Sequence, residues 1–254
     1  RSVEAYDEFL RGWQLFWNLS KDSNRQARAH FQKAIALDPA FARAYANLAL
    51  TYGYDYTNGW TQDTEYAIAQ ARRYAQKGVE LDPRLPQVHW VMSLIHVYSR
   101  EYQAAIEAAQ LTLQQDPNYA DGYGVLANAL NYAGKPGQAL EVMEKAMRLD
   151  PHYPHIYLTI RGEIHFNLRD YAAAIEDLEA ALTRNPETQE ARLWLAAAYA
   201  HAGRIDDADW QLEHIRYTGT RLTLDYIEKF VPFNDPLQRK HLLDGLYKAG
   251  LEQE

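Results

Sequence analysis

The apolar positions of this chain follow a helical period that is broken at regular intervals. Between Ala120 and Pro151, Tyr123, Leu126, Ala127 and Leu130 recur at the spacing that puts side chains on one side of a helix. Ala133-Gly134-Lys135-Pro136-Gly137 then interrupts the pattern. A second stripe, Ala139, Leu140, Met143, Ala146, Met147 and Leu149, predicts another helix. Asp150-Pro151 ends it, because proline clashes with a continuing helix and disfavours helical geometry at the residue before it. This unit is a helical hairpin, and it recurs. Ala27, Ala71, Ala105, Ala139, Ala174 and Ala208 are spaced by 44, 34, 34, 35 and 34 residues. The first five precede the stop dipeptides Asp38-Pro39, Asp82-Pro83, Asp116-Pro117, Asp150-Pro151 and Asn185-Pro186. A fixed period of this length predicts an all-α solenoid in which each hairpin buries its faces against its neighbours.

Composition adds bounds. A chain of 254 residues with 47% hydrophobic and 13% aromatic content can build a core, which argues against disorder, and its apolar runs are too short for a membrane span. The sequence opens at Arg1-Ser-Val-Glu with neither an initiator methionine nor a secretory signal pattern, which predicts a piece of a longer protein. Net charge is −8, with lysines and arginines scattered among acids, so a nucleic-acid backbone would meet no concentrated positive field. The absence of cysteine removes disulfides, thiolate nucleophiles and cysteine-based zinc sites, and fits either redox compartment.

Candidate chemistry is sparse. His152 and His155 lie in a proline-bounded turn without a third ligand at suitable spacing, and His96 takes a packing position in its repeat. Glu163 and His165, two residues apart, point to different faces of a helix. There is no HExxH, glycine-rich phosphate loop or nucleophile elbow, so neither a catalytic site, a metal site nor a cofactor is predicted.

The hairpins resemble the tetratricopeptide repeat, which places small residues where its two helices cross and proline at its end. With each proline counted as position 32, the eighth position reads Ala49, Ser93, Ala127, Gly162 and Ala196, the twentieth is the alanine column, and the twenty-seventh reads Ala34, Gly78, Thr112, Ala146, Ala181 and Ile215. The first unit has Leu15 at its eighth position, and the sixth lacks the terminal proline. The resemblance implies a right-handed superhelix of about six hairpins over residues 1–220: 8–39, 42–83, 86–117, 120–151, 155–186 and 189–220. Residues 221–254 would form capping helices, Leu222–Phe230 and Pro236–Ala249, with Leu237, Leu242, Leu243 and Leu246 covering the open end of the stack. The unit 42–83 carries a ten-residue insertion after Gly53 with Tyr54, Tyr56 and Trp60, rings that would either grip a partner or fold onto the adjacent hairpins.

That insertion, the phrase Asp150-Pro-His-Tyr-Pro-His-Ile-Tyr157 and the stretch from Pro232 to Leu251 are similar to the C-terminal repeat region of bacterial class III adenylate/guanylate cyclases. Winged-helix regulators of the CadC type carry similar repeats. By resemblance, positions 2, 5, 9, 12 and 13 line a concave groove. These positions supply Tyr54, Trp90 and Tyr98, then Asn128, Asn131 and Tyr132, then Glu163, Phe166, Asn167 and His201. Rings with few rotors and amides that both donate and accept suit an extended peptide. The other reading is that Trp90, Tyr98 and Phe166 only pack between hairpins. The carboxylate clamp of heat-shock-chaperone adaptors needs lysine at position 5, where this chain has Gly12, Ala46, Trp90, Gly124, Thr159 and Leu193. The expected function is a regulatory scaffold that binds a protein, a peptide or an upstream cyclase domain. The alternatives are a self-association module that dimerises the parent protein and the sensor region of a CadC-like transcription regulator. The region would be cytoplasmic unless an upstream transmembrane helix places it in the periplasm.

Overall fold

The computed structural model describes residues 2–18, 20–217 and 222–253. Among the described residues every regular element is an α-helix. In order these are α1 (Val3–Phe16), α2 (Lys21–Leu37), α3 (Ala42–Thr57), α4 (Thr64–Leu81), α5 (Pro86–Tyr98), α6 (Tyr102–Gln115), α7 (Ala120–Tyr132), α8 (Pro136–Leu149), α9 (His155–Asn167), α10 (Tyr171–Arg184), α11 (Gln189–His201), α12 (Ile205–Tyr217), α13 (Leu224–Phe230) and α14 (Pro236–Lys248). They fall into two compact units, one ending at Val125 and the other starting at Leu126, with the division inside α7. In the first unit α1 packs on α2, α3 on α4 and α5 on α6. In the second, α9 packs on α10 and α11 on α12, and each of α8 and α10 also meets the next helix. These contacts are those of successive helical hairpins.

The Asp-Pro period has a second cause besides proline. Asp38, Asp82, Asp116, Asp150 and Asn185 each leave the helix in extended geometry while their N–H still bonds to the carbonyl four residues back. Their side chains then accept the N–H two residues on, at 3.0–3.2 Å, closing an Asx turn across the proline. Proline stops the helix, and the residue before it folds the exit.

Small residues at the helix crossing do what the pattern predicts. Ser93 Oγ donates to the carbonyl of Ala105 at 2.8 Å, tying an eighth position to a twentieth. At Gly162 a Cβ would lie 2.6 Å from Leu178 Cγ and 3.3 Å from the Ala174 carbonyl, so no larger residue fits without the helices parting. The first hairpin differs from its predicted register. Gly12, not Leu15, makes the close crossing, since a Cβ there would meet Phe31 at 2.8 Å and the Ala27 carbonyl at 3.1 Å. Accordingly α1 starts at Val3 rather than near Glu8.

The insertion in the second hairpin is largely helical rather than a long loop. α3 and α4 run to 16 and 18 residues, against 13 and 14 in α5 and α6. On these helices Tyr52 stacks on Tyr74 at 5.6 Å, and Tyr54 meets Phe16 edge-on at 5.0 Å. The predicted end of the sixth hairpin at residues 218–220 lies outside the described residues.

The C-terminal helices form where expected. Asp235 caps α14 by accepting the Leu237 N–H at 2.8 Å, Pro236 occupies its first position, and Gly250 ends the segment at φ 93°, a left-handed geometry suited to glycine. Their placement differs from the expected cap. Among the contacts of α14, those with α11 and α13 dominate. Leu242 and Leu246 are buried, but Leu237 is 71% exposed because it shares the outer side of the helix with Lys240, Asp244 and Lys248.

Candidate interaction face

In the second unit the end of α7, α9 and α11 present one face with polar groups that bond to each other between hairpins. Asn167 Nδ2 donates to Asn131 Oδ1 at 2.9 Å, and the Tyr132 hydroxyl donates to Glu163 Oε2 at 3.1 Å. Asn131 and Glu163 are 0% and 1% exposed. Burial and the nearby Glu190 push the Glu163 carboxyl well above the ordinary carboxylate range, and the Tyr132 hydroxyl only partly opposes this. Glu190 is itself raised by the protein around its carboxyl, although its surface is open to solvent. Asn131 Nδ2 and Asn167 Oδ1 are shielded from solvent without a hydrogen-bond partner. Asn128, one turn earlier on α7, is half-buried.

This face is covered by the chain's own C-terminal segment. Phe233, fully buried, packs on Tyr132 at 5.5 Å and on Trp194 at 5.7 Å between ring centroids. Next to it the Asn234 N–H donates to the Tyr132 carbonyl at 3.0 Å, and Asn234 Nδ2 donates to the Ala133 carbonyl at 3.4 Å. Two turns into α14, the His241 ring lies 4.9 Å from Phe166 and 4.0 Å from His201. His201 Nε2 donates to the His241 carbonyl at 2.9 Å. Gly245 passes so close to α11 that a Cβ would lie 2.8 Å from the His201 ring and 3.1 Å from Ala197 Cβ. The residues from Phe233 to Gly245 thus touch all three first helices of this unit.

The electrostatics of the covered face favour neutral groups. Arg169 Nη1, which can only donate, lies 2.8 Å from His241 Nδ1 and 3.1 Å from its Nε2, and the Tyr171 hydroxyl lies 2.9 Å from Nε2. Burial, then His201, Arg169 and Lys248, push the His241 imidazole down to about 4. Burial lowers His201 as well.

The first unit places its three predicted residues differently. Tyr54, Trp90 and Tyr98 are half-buried against the core of that unit. Tyr98 borders an open cavity of about 590 Å³ that is also lined by Tyr56, Arg72, Arg73 and Arg100. Arg72 holds Glu101 through two hydrogen bonds of 2.9 and 2.8 Å. The ten residues read from the repeat register therefore divide between the units. Asn131, Tyr132, Glu163, Phe166, Asn167 and His201 come together, Asn128 lies half-buried one turn before Asn131, and Tyr54, Trp90 and Tyr98 belong to other surroundings.

Arg169, Tyr171, Trp194, Phe233, Asn234 and His241 were not among the predicted residues. For Phe233 to His241 the available signal was the strong helix start at Asp235-Pro236, which marks a helix without saying where it docks. Arg169 stands at φ 64°, in the hairpin-turn position that Gly134 and Gly203 fill elsewhere, and nothing in its residue type announces that role. Among the described residues no group of three or more acidic, histidine or cysteine side chains could hold a metal ion, and no helix is long and apolar enough to cross a membrane.

Comparison with known proteins agrees with this architecture. The family described as Tetratricopeptide repeat matches residues 91–154 and 161–217. A Rhizobium meliloti (strain 1021) protein named "Putative adenylate cyclase 3" is 29% identical over 105 residues, covering 41% of this chain and 18% of that protein. The type IV pilus assembly protein PilF of Pseudomonas aeruginosa is 27% identical over 159 residues, 61% of this chain and 58% of that one. The chain thus spans about a fifth of the length of the cyclase relative and less than two thirds of PilF. Among solved structures, a thermophilic tetratricopeptide protein of Thermus thermophilus superposes with a TM-score of 0.61 at 17% identity, over 76% of this chain and 98% of that one. Human IFIT1 gives 0.74 at 16% identity, over 96% and 58%. The helical hairpins, their small-residue crossings and these matches identify tetratricopeptide repeats at residues 91–154 and 161–217 and give the chain the fold of a tetratricopeptide solenoid.

Proposed function

We propose that the chain is a protein-interaction module whose binding face lies on α7, α9 and α11 and takes a peptide or a partner domain. The observation that carries this reading is that the face gathers rings and neutral hydrogen-bonding groups, Asn131, Tyr132, Phe166, Asn167 and His201, and accommodates a polypeptide segment through both backbone and side-chain bonds. Such groups recognise a chain by its backbone and its apolar side chains rather than by charge. The likeness to a protein named as an adenylate cyclase supports a place as the regulatory arm of a larger bacterial signalling protein. Selection of a displayed peptide library on the purified chain tests the reading. Selected peptides should protect amides of α9 and α11 from hydrogen exchange. Failure to select any binder, or protection elsewhere, would overturn it.

A self-association reading rests on a different surface. Trp210 is 60% exposed on α12, with Ile205 and Tyr217 also open to solvent on that helix. A second copy covering them would dimerise the parent protein. Light scattering across a concentration series decides it, since a constant monomer mass removes this reading.

A further inference from the structure

We infer that residues 232–248 act as an internal ligand of the α7, α9 and α11 face, and that a partner reaches this face by displacing them. The fitting partner is an amphipathic helix preceded by an aromatic anchor and an Asn-Asp turn. The inference rests on the binding face proposed above and adds its regulation and the form of its ligand.

Three observations support it. First, the segment is seated as a ligand is seated. An aromatic anchor, Phe233, fills the space between Tyr132 and Trp194, and the backbone beside it is read by a hydrogen bond from the Asn234 N–H to the Tyr132 carbonyl. A helix start and a small residue at the crossing, Gly245, complete the fit. Second, the seam is imperfect where a core would be complete. Asn131 Nδ2 on α7, Asn167 Oδ1 on α9 and Gln238 Oε1 on α14 are all shielded from solvent and lack hydrogen-bond partners. Asn131 and Gln238 are both more than nine-tenths buried. Buried polar groups are normally paired, so a ligand that satisfies Asn131 and Asn167, and whose displacement of α14 frees Gln238 to solvent, holds an advantage over the internal one.

Third, the segment comes as a piece with its own internal bonds. α13 packs on α14, and the Leu224 and Asp225 N–H groups donate to the carbonyls of Glu252 and Gln253 at 3.0 and 3.3 Å. Such a piece can leave the face without dismantling the hairpins beneath it. While attached, it competes at the effective concentration of a tethered ligand, on the order of millimolar. A partner must therefore either match its chemistry closely or be tethered in turn.

The test uses the whole chain and a switchable lock. The sequence has no cysteine, and a Cβ at Gly134 would lie 3.5 Å from Asp235 Cβ, within disulfide reach. Gly134→Cys/Asp235→Cys should therefore lock the segment when oxidised and free it when reduced. Any strain from a side chain at Gly134, φ 84°, is shared by both forms. The probe is a fluorescent synthetic peptide with the sequence of residues 230–250, followed by anisotropy. Reduced protein should bind it at least about tenfold more tightly than oxidised protein, and Gly245→Leu, which wedges α14 from α11, should bind as the reduced form does. Equal binding by the oxidised and reduced forms, or no binding by the reduced form with its helix content intact, would overturn the inference. If Gly245→Leu does not fold, the two redox states of one sequence still decide. Peptides from the library selection separate the two proposals. Equal binding to both redox states with protection on α9 and α11 sinks displacement and leaves the face standing. Protection elsewhere sinks the face, while slow exchange of α14 amides still reports docking.

Discussion

Tyr98 and Tyr132 stand at the same register of consecutive hairpins, thirteenth in each, and meet different fates. Tyr98 is half-buried at the edge of an open cavity lined by three arginines. Tyr132 is buried, donates to a carboxyl raised by burial, and lies under Phe233. Register and residue type are equal, so neither decides whether a repeat position forms an open surface. The deciding element is a segment outside the repeats. The first unit ties its helices together partly through ion pairs: Arg28 holds Asp55 at 2.6 Å, and Lys33 and His30 reach Glu8 at 2.7 Å and hold its carboxyl down to about 2. The second unit has such a pair too, Arg161 with Asp177 between α9 and α10, but away from the covered face. The covered face of the second uses amides, phenols and imidazoles, so acidification should act there first.

Truncating rings at the two faces should separate them most. Phe166 is fully buried and meets Trp194 at 5.3 Å as well as His201 and His241. Phe166→Ala should cost about 3–5 kcal/mol of unfolding free energy in urea, while Trp90→Ala, from a half-buried ring of the first unit, should cost about half as much. Equal losses would mean that the covering segment adds nothing to the second face.

The next largest effect is on pH dependence. His241 has a folded pKa of about 4, below the ordinary histidine value, so its contribution is complete above that ordinary value and is lost as pH falls toward 4. Between pH 7 and pH 5 this amounts to about 2 kcal/mol. The groups facing it are His201 on α11, Arg169 and Tyr171 at the start of the α9–α10 hairpin turn and α10, and Lys248 on its own helix. Added positive charge beside Arg169 should loosen α14. Urea midpoints at the two pH values should fall further for the natural chain than for His241→Phe, which keeps a ring against Phe166 but cannot titrate. Parallel curves would assign the acid sensitivity elsewhere.

How much of this was legible follows from where the information sits. The alanine column, the Asp-Pro exits and the Asp235-Pro236 start are local or periodic, and each marks a backbone event within a few residues of itself. Gly12 was hidden because α2 begins six residues before Ala27 where α6, α8, α10 and α12 begin three before their column alanine, so counting back from Pro39 lands on Leu15. Asn131 resembled a surface amide because its partner, Asn167, is 36 residues away on another hairpin. The docking of α14 was illegible for a related reason. Leu242 and Leu246 announce an apolar side, but both an end cap and an inner occupant would bury it. Only the exposed Leu237 and the tight Gly245 crossing distinguish the two, and both depend on the orientation of the helix.

Glu163 supplies a prediction of opposite sign. Its folded pKa is raised, so its contribution is complete below the ordinary glutamate value and is lost as pH rises through the folded one. Glu163→Gln keeps an oxygen that accepts from Tyr132 and removes the ionisation. The variant should equal the natural chain near pH 4 and exceed it in stability by a margin that grows toward pH 8. With the His241 effect, this gives the second unit a stability maximum set by two groups of opposite sign. A natural chain that outlasts the variant at pH 8 would show that Glu163 is ionised and paired.

The smallest effect isolates the crossing of α14 over α11. Gly137 is the second residue of α8 and Gly245 lies inside α14, so replacing either by alanine removes part of glycine's entropic cost, and more of it inside the helix. A Cβ at Gly137 would meet nothing within 4 Å, whereas one at Gly245 would press on a His201 ring already held between Tyr171 and His241. Gly137→Ala should therefore stabilise by about 0.5 kcal/mol, and Gly245→Ala should forfeit that gain and lose about 1 kcal/mol. Because helix propensity favours alanine at least as much at Gly245 as at Gly137, a lower urea midpoint for Gly245→Ala reports the contact. If Gly245→Ala stabilises as much as Gly137→Ala, α14 does not press on α11 in solution, and the contrast between the open face of the first unit and the covered face of the second disappears.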